Sequence, residues 1–86
     1  MKSSPTARFR PLLTDQPKAV QKQANSTYRL FRDDPFRKSL RFKEVSPDES
    51  VWSARVGIGY RVLGVRSEDE IVWFWIGSHS DYENLI

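Results

Sequence analysis

The chain has 86 residues, with 14 Lys and Arg, 11 Asp and Glu and one His, for a formal net charge of +3 at pH 7. That length makes one domain, residues 1–86, with room for one small core, to which three Trp, three Tyr and five Phe can contribute. The absence of Cys excludes disulfides, thiolate metal sites and a cysteine nucleophile. No apolar run approaches the ~20 residues of a membrane-spanning helix, and residues 1–10 carry no apolar signal segment. A cytoplasmic protein without membrane contact is therefore expected.

Residues 1–4 read as a frayed end. Ser4-Pro5 has the form of a helix N-cap followed by Pro at the first helical position, where its missing N–H costs nothing. The sequence thus predicts a short helix over residues 5–13, and leaves open whether an edge strand precedes it. Thr14 to Pro17 is a break and a second start. From there Val20, Ala24, Tyr28 and Phe31 recur at helical spacing, with Lys18, Lys22, Gln23 and Arg29 on other faces. Asp33-Asp34-Pro35 ends that helix, because a residue before Pro avoids the helical region. The first 34 residues read as a helical hairpin.

The pattern then changes period. Residues 41–45 alternate loosely, and residues 46–50 are a turn by composition. Over residues 51–56, Trp52, Ala54 and Val56 fall on one face and Ser53 and Arg55 on the other. Gly57-Ile58-Gly59 is a tight connection, residues 60–66 form the next strand, and Ser67-Glu68-Asp69 turns the chain again. Residues 70–77 contain Ile71 to Ile76 without a polar break, which predicts a central strand covered on both faces. Residues 79–86 form a short tail of about one helical turn. Short linkers impose antiparallel pairing. The expected fold is α+β, an N-terminal helical hairpin packed on a small antiparallel sheet of three to four strands.

The net charge hides an asymmetry. Residues 1–66 hold all 14 Lys and Arg beside six acids, whereas residues 67–86 hold five acids and neither Lys nor Arg. Such a split suits one face for a polyanion; a solvated basic surface is the blander alternative. Arg55 and Arg61 lie on adjacent strands, Arg66 follows on the second, and Lys38, Arg41 and Lys43 precede the sheet. Arginine binds phosphate bidentately and keeps its charge, although charges of this kind also protect edge strands from aggregation. Arg61 shares strand parity with Leu63 and Val65, so it needs a partner or a ligand. His79 directly follows the last strand and is the side chain best suited to proton transfer near neutral pH; a histidine that merely caps the tail is the alternative. One His without Cys cannot build an ordinary zinc site, so no metal and no cofactor is expected. Gly57-Ile58-Gly59 opens no helix and is no phosphate loop, and no G-x-S-x-G occurs.

Two helices, the basic stretch LRFKEV, then WSARVGIGYRVLGV and IVWFWIGSHSDYENL together resemble the RelE/ParE superfamily of type II toxin–antitoxin toxins. The hairpin Arg55-Val56-Gly57-Ile58-Gly59-Tyr60-Arg61 is similar to that family's R-V-G-x-Y-R motif, one residue longer than its commonest form. The tail Ile76-Gly77-Ser78-His79-Ser80-Asp81-Tyr82-Glu83 resembles the I-G-T-H-x-x-Y-D ending of the HigB-like branch. The resemblance covers roughly residues 7–86. Family members commonly begin with a β-strand, which residues 1–10 do not show by composition.

The resemblance implies a metal-free endoribonuclease, an mRNA interferase acting on messenger RNA in the ribosomal A site. In that chemistry the ribose 2′-OH attacks the adjacent phosphate and the 5′-oxygen leaves, which needs a base, an acid and cations. Carried over, it places Arg55 and Arg61 on the phosphate and His79 in proton transfer. Tyr82 stacks or donates a proton, and Lys38, Arg41, Lys43 and Arg66 are RNA contacts. A cognate antitoxin is the implied partner. The same superfamily implies two other readings: a ParE-like inhibitor that binds DNA gyrase, and a binding protein of this fold that cleaves nothing.

Overall fold

Tight turns at residues 57–59 and 68–69 fold three alternating segments back on one another. The computed structural model, which describes residues 1–85, shows the resulting meander. In chain order the elements are β1 (Lys2–Pro5), α1 (Phe9–Thr14), α2 (Lys18–Asp33), β2 (Lys43–Ser46), β3 (Val51–Val56), β4 (Tyr60–Ser67), β5 (Glu70–Ser78) and α3 (His79–Leu85). Single 3-10 turns occupy Lys38–Leu40 and Pro47–Glu49. The strands lie side by side as β1-β5-β4-β3-β2. This is the expected α+β arrangement of helices on a small sheet, with five strands in place of three or four. Ile86, the last residue of the expected tail and domain, lies outside the described residues.

The additional strand is β1, where the sequence predicts a frayed end and a helix start. It pairs in parallel with β5, Lys2 opposite Glu70 and Pro5 opposite Trp73. The Lys2 N–H donates to the Asp69 carbonyl and the Thr6 N–H to the Trp73 carbonyl, both at 2.8 Å. The Trp73 indole N–H donates to Ser3 Oγ at 2.7 Å. Pro5 is tolerated because an edge strand can present a residue without a donor. α1 has Arg8 rather than Ser4 as its N-cap, and the Phe9 N–H donates to the Thr6 carbonyl at 3.1 Å and to Thr6 Oγ1 at 3.3 Å. Pro17, where the sequence places the second helix start, is the N-cap of α2, with an extended ψ of 149°.

One face of the sheet carries the core. Ala54, Val56, Val62, Ile71, Trp73 and Ile76 from the strands pack with Val20 and Phe31 of α2 and with Leu40. Phe31 meets Phe42 and Trp73 edge-on at 5.0 and 5.3 Å between ring centres. Tyr28, expected on this apolar face, is 42% exposed. α1 lies against β5 and α2 against β3. The two helices leave an apolar groove of about 220 Å³ between them, walled by Phe9, Leu13 and Tyr28 and floored by Val56 and Val62.

The uninterrupted apolar run of β5 is reconciled with the sheet by a bulge. Leu63 pairs with Trp75 but Gly64 pairs with Trp73, leaving Phe74 as the extra residue. The bulge lets Ile71, Trp73 and Ile76 all reach the core face despite their uneven spacing. Val72, Phe74 and Trp75 are only half-buried, so this strand is not fully covered on both sides as its composition predicts. β4 holds the middle position, and β5 lies between β4 and β1.

Candidate active site

The second face of the sheet is made from the alternate residues of the same strands. Cross-strand pairing sets Arg55 directly opposite Arg61 and Ser53 opposite Leu63. On the next strands Gly77 lies opposite Arg61, and Lys43 lies opposite Ser53. Ser53 and Leu63 are buried here although neither belongs to the core cluster of the helical side. α3 follows β5 without a linker and supplies the cover, the buried ring of Tyr82. The His79 N–H donates to the Gly59 carbonyl at 2.8 Å, tying the first turn of α3 to the β3–β4 hairpin. Ser78 Oγ accepts from the Asp81 N–H at 3.2 Å, an N-cap contact that fixes where the helix begins.

These elements enclose a cleft of about 260 Å³ lined by Arg41, Arg55, Ile58, Arg61 and His79. Three of its five lining residues are arginines. Arg61 donates through Nη1 to Ser53 Oγ at 3.3 Å, and its guanidinium lies 5.3 Å from the centre of the Tyr82 ring. The Nε of Arg55 donates to the Gly57 carbonyl at 2.8 Å, which anchors its guanidinium beside the turn. Gly57 has φ of 59°, a left-handed conformation that an L side chain resists. A Cβ there would also strike the Gln23 carboxamide of α2. Among the described residues, no carboxylate pairs with Arg41, Arg55 or Arg61. Like charges opposite one another on antiparallel strands destabilise a sheet, by up to about 1 kcal/mol. The Arg55–Arg61 pair is therefore not explained by the stability of the sheet, and it leaves two cations able to hold an anion.

His79 stands at the rim, half exposed, its ring stacked on that of Tyr82 at 5.8 Å and 29°. Its Nε2 lies 2.7 Å from Glu83 Oε1 one turn along α3. On the far side, Arg41 reaches the cleft from a left-handed backbone with φ of 48°, at the end of the 3-10 turn. Trp75 lies across Gly77 so closely that a Cβ on Gly77 would overlap its indole, which leaves no room for a side chain opposite Arg61.

The expected site residues divide accordingly. Arg55, Arg61 and His79 come together with Tyr82 beneath two of them, and Arg41 joins them. Lys43 is exposed on β2 and shares Ser53's side of the sheet. Lys38 is exposed on the 3-10 turn and does not line the cleft. Arg66 does not belong to this constellation. It differs from Arg61 by an odd number of residues along β4, so it faces the helical side. There its guanidinium lies 4.6 Å from the Trp52 ring centre and 5.5 Å from that of Phe36. Ser53, Ile58 and Glu83 are the site residues that sequence reasoning missed. Strand parity already aligned Ser53 with Arg55, but a serine carries no signal until its cross-strand neighbour is known.

The chain belongs to the ParE-like toxin domain family, whose model matches residues 18–84, and with it to the RelE/ParE superfamily of toxins. Solved structures share the fold at low sequence identity. YafQ from Escherichia coli strain BL21(DE3) superposes with a TM-score of 0.72 at 9% identity, over 94% of this chain and 96% of that one. A chain of the toxin–antitoxin complex RelBE2 from Mycobacterium tuberculosis also reaches 0.72, at 18% identity over 91% and 96%. The YoeB/ParE toxin from Agrobacterium tumefaciens gives 0.68 at 16% identity over 92% and 99%. Comparison with curated proteins gives no match. No helix among the described residues is long and apolar enough to cross a membrane.

Proposed function

We propose that this protein is the toxin of a toxin–antitoxin pair and an endoribonuclease that cleaves messenger RNA on the ribosome, akin to the HigB-like branch. The observation that carries the reading is the facing pair Arg55 and Arg61, unpaired by acid, in one cleft with the chain's single histidine. The reaction needs no cofactor. The 2′-oxygen of a ribose attacks the adjacent phosphorus, the bond to the 5′-oxygen breaks, and a 2′,3′-cyclic phosphate and a free 5′-OH result. Arg55 and Arg61 hold the non-bridging oxygens, where negative charge grows as five oxygens surround phosphorus. His79 moves a proton, taking it from the 2′-OH or returning it to the 5′-oxygen. Tyr82 keeps Arg61 and His79 in place from beneath; its buried ring fits a platform better than a proton donor. Arg41 and Lys43 bind flanking phosphates, and Lys38 contacts RNA further out. The need for a 2′-OH selects RNA over DNA. The protein partner is an acidic antitoxin that covers the cleft and so silences it, and such a pair works in the cytoplasm.

Single-turnover cleavage of mRNA on translating ribosomes tests this. His79→Ala should lose roughly two to four orders of magnitude in the chemical step. His79→Gln should be nearly as damaged, because an amide can hydrogen-bond but cannot carry the proton. EDTA should leave the wild-type rate unchanged. Wild-type rates in His79→Ala would remove His79 from the mechanism. The family match, which is to a ParE-like model, supports a second reading in which the cationic face binds DNA gyrase. Inhibition of gyrase supercoiling without any RNA cleavage would establish that reading instead.

A further inference from the structure

Glu83 is not accounted for by the stability of its helix. An acidic side chain gains from the positive end of a helix and a cationic one from the negative end. Asp81 takes the favourable first-turn place in α3, but the pair His79 and Glu83 is reversed, with His79 at the first position and Glu83 in the last turn. The order His79 then Glu83, four residues apart, is also the weaker orientation for a helical ion pair. Both side chains are largely solvated, at 51% and 64% exposure, and exposed pairs add little to stability. Yet the contact is short, 2.7 Å between Nε2 and Oε1, and it falls on the histidine that lines the cleft.

We infer that Glu83 is a positioning residue for His79, acting as the carboxylate that orients the imidazole and fixes its tautomer; this rests on the cleavage reading above. Stacking on Tyr82 fixes the plane of the His79 ring. The Glu83 contact then fixes its rotation within that plane. A carboxylate accepts only, so Nε2 must be the protonated nitrogen. Nδ1 is left as the nitrogen that exchanges a proton with substrate. The roles follow the logic of a base oriented by a third group, here built within two turns of a single helix. Glu83 touches neither RNA nor the reacting phosphate; it acts through His79 alone.

The test uses the whole protein with ribosome-bound mRNA. Glu83→Gln should lower the single-turnover rate roughly ten- to a hundred-fold while leaving KM unchanged, a smaller loss than for a buried triad carboxylate because water shares the work here. Glu83→Asp should recover part of that rate, because the charge is retained. In a His79→Ala background, Glu83→Gln should cost nothing further, since the residue it positions is gone. Imidazole 15N shifts supply a readout independent of activity: a single Nε2–H tautomer in the neutral wild type and a mixture in Glu83→Gln. A Glu83→Gln protein that cleaves at the wild-type rate overturns the inference, as does one that loses the same factor with His79 absent. If the wild type cleaves no RNA at all, the cleavage reading fails. The nitrogen shifts then judge the orientation by themselves, and a mixed tautomer in the wild type would overturn it.

Discussion

The two faces of this sheet are drawn from alternate residues of the same strands, yet they are held by different forces. Along β3 and β4, Ala54, Val56 and Val62 turn toward the helices and vanish into an aromatic-rich core. Arg55 and Arg61, one residue away from them, turn toward a cleft where the ring of Tyr82 lies against the Arg61 guanidinium. The helical face gains from burial, which is non-directional and tolerant of its neighbours. The cleft face sets two arginines opposite each other in the strand register with no acid paired to either among the described residues, an arrangement that does not favour the sheet and leaves two cations open to an anion. A strand with a two-residue period can thus bury one set of side chains in the core and present the other, here cationic, at a cleft.

That division predicts opposite outcomes for neighbouring substitutions. Phe31→Ala, on the helical side, should cost about 3–5 kcal/mol of stability in chemical denaturation, because the ring is 1% exposed and packs on both Phe42 and Trp73. Its residual cleavage should follow the fraction folded. Arg61→Ala should leave the denaturation midpoint near that of the wild type and lower cleavage roughly 10²–10³-fold. Arg61→Lys should restore only part, since the planar fork is lost. An Arg61→Ala protein that unfolds would make Arg61 a structural residue, and the two faces would no longer differ in kind.

Arg66 sharpens the comparison because it is a cation on the apolar side. Its guanidinium covers Trp52 and Phe36, the latter 59% exposed, and its Nε donates to the Glu68 carbonyl at 3.3 Å. Arg66→Ala should therefore reduce stability by about 1 kcal/mol, the scale of a partly desolvated cation–π contact. It should leave the cleavage rate per folded molecule unchanged. A large loss of RNA affinity instead would return Arg66 to the list of RNA contacts that its charge alone suggests.

How far the sequence could be read follows from where each feature is encoded. β3, β4 and β5 are legible because alternation and turn residues are local, and α2 because its apolar spacing is. β1 is not, since nothing in Lys2 to Pro5 alternates; that strand exists because β5 offers an edge seventy residues away in sequence. The facing of Arg55 and Arg61 was within reach through parity, as was the opposite facing of Arg66. Ser53 beneath Arg61 depends on the β3–β4 register, and the bulge at Phe74 is set by packing that no local pattern reveals. Glu83 is a charge of ordinary appearance until the helix that brings it to His79 is in place.

Backbone strain gives the smallest effect and the finest discrimination. Arg41 and Ser50 both adopt left-handed conformations, with φ of 48° and 55°, and each ends a 3-10 turn. A non-glycine residue there costs about 1–2 kcal/mol, partly offset on substitution because glycine loses about 0.5–1 kcal/mol more entropy on folding. Both Arg41→Gly and Ser50→Gly should thus raise stability slightly, by about 0.5–1 kcal/mol. Their functional outcomes should diverge. Ser50 lies at the opposite end of β3 from the cleft, where its carbonyl accepts from the Arg66 N–H at 3.0 Å, and its replacement should leave cleavage untouched. Arg41 lines the cleft, so removing its side chain should weaken RNA binding and reduce the salt dependence of that binding by the share of one phosphate contact. Ser50 carries the same strain away from the cleft, so it is the place of Arg41 on the cleft, not its backbone, that distinguishes the two. Equal behaviour of the two glycine variants in an RNA-binding titration across salt concentrations would leave the strain at Arg41 a feature of the turn, and the cleft would lose its third arginine.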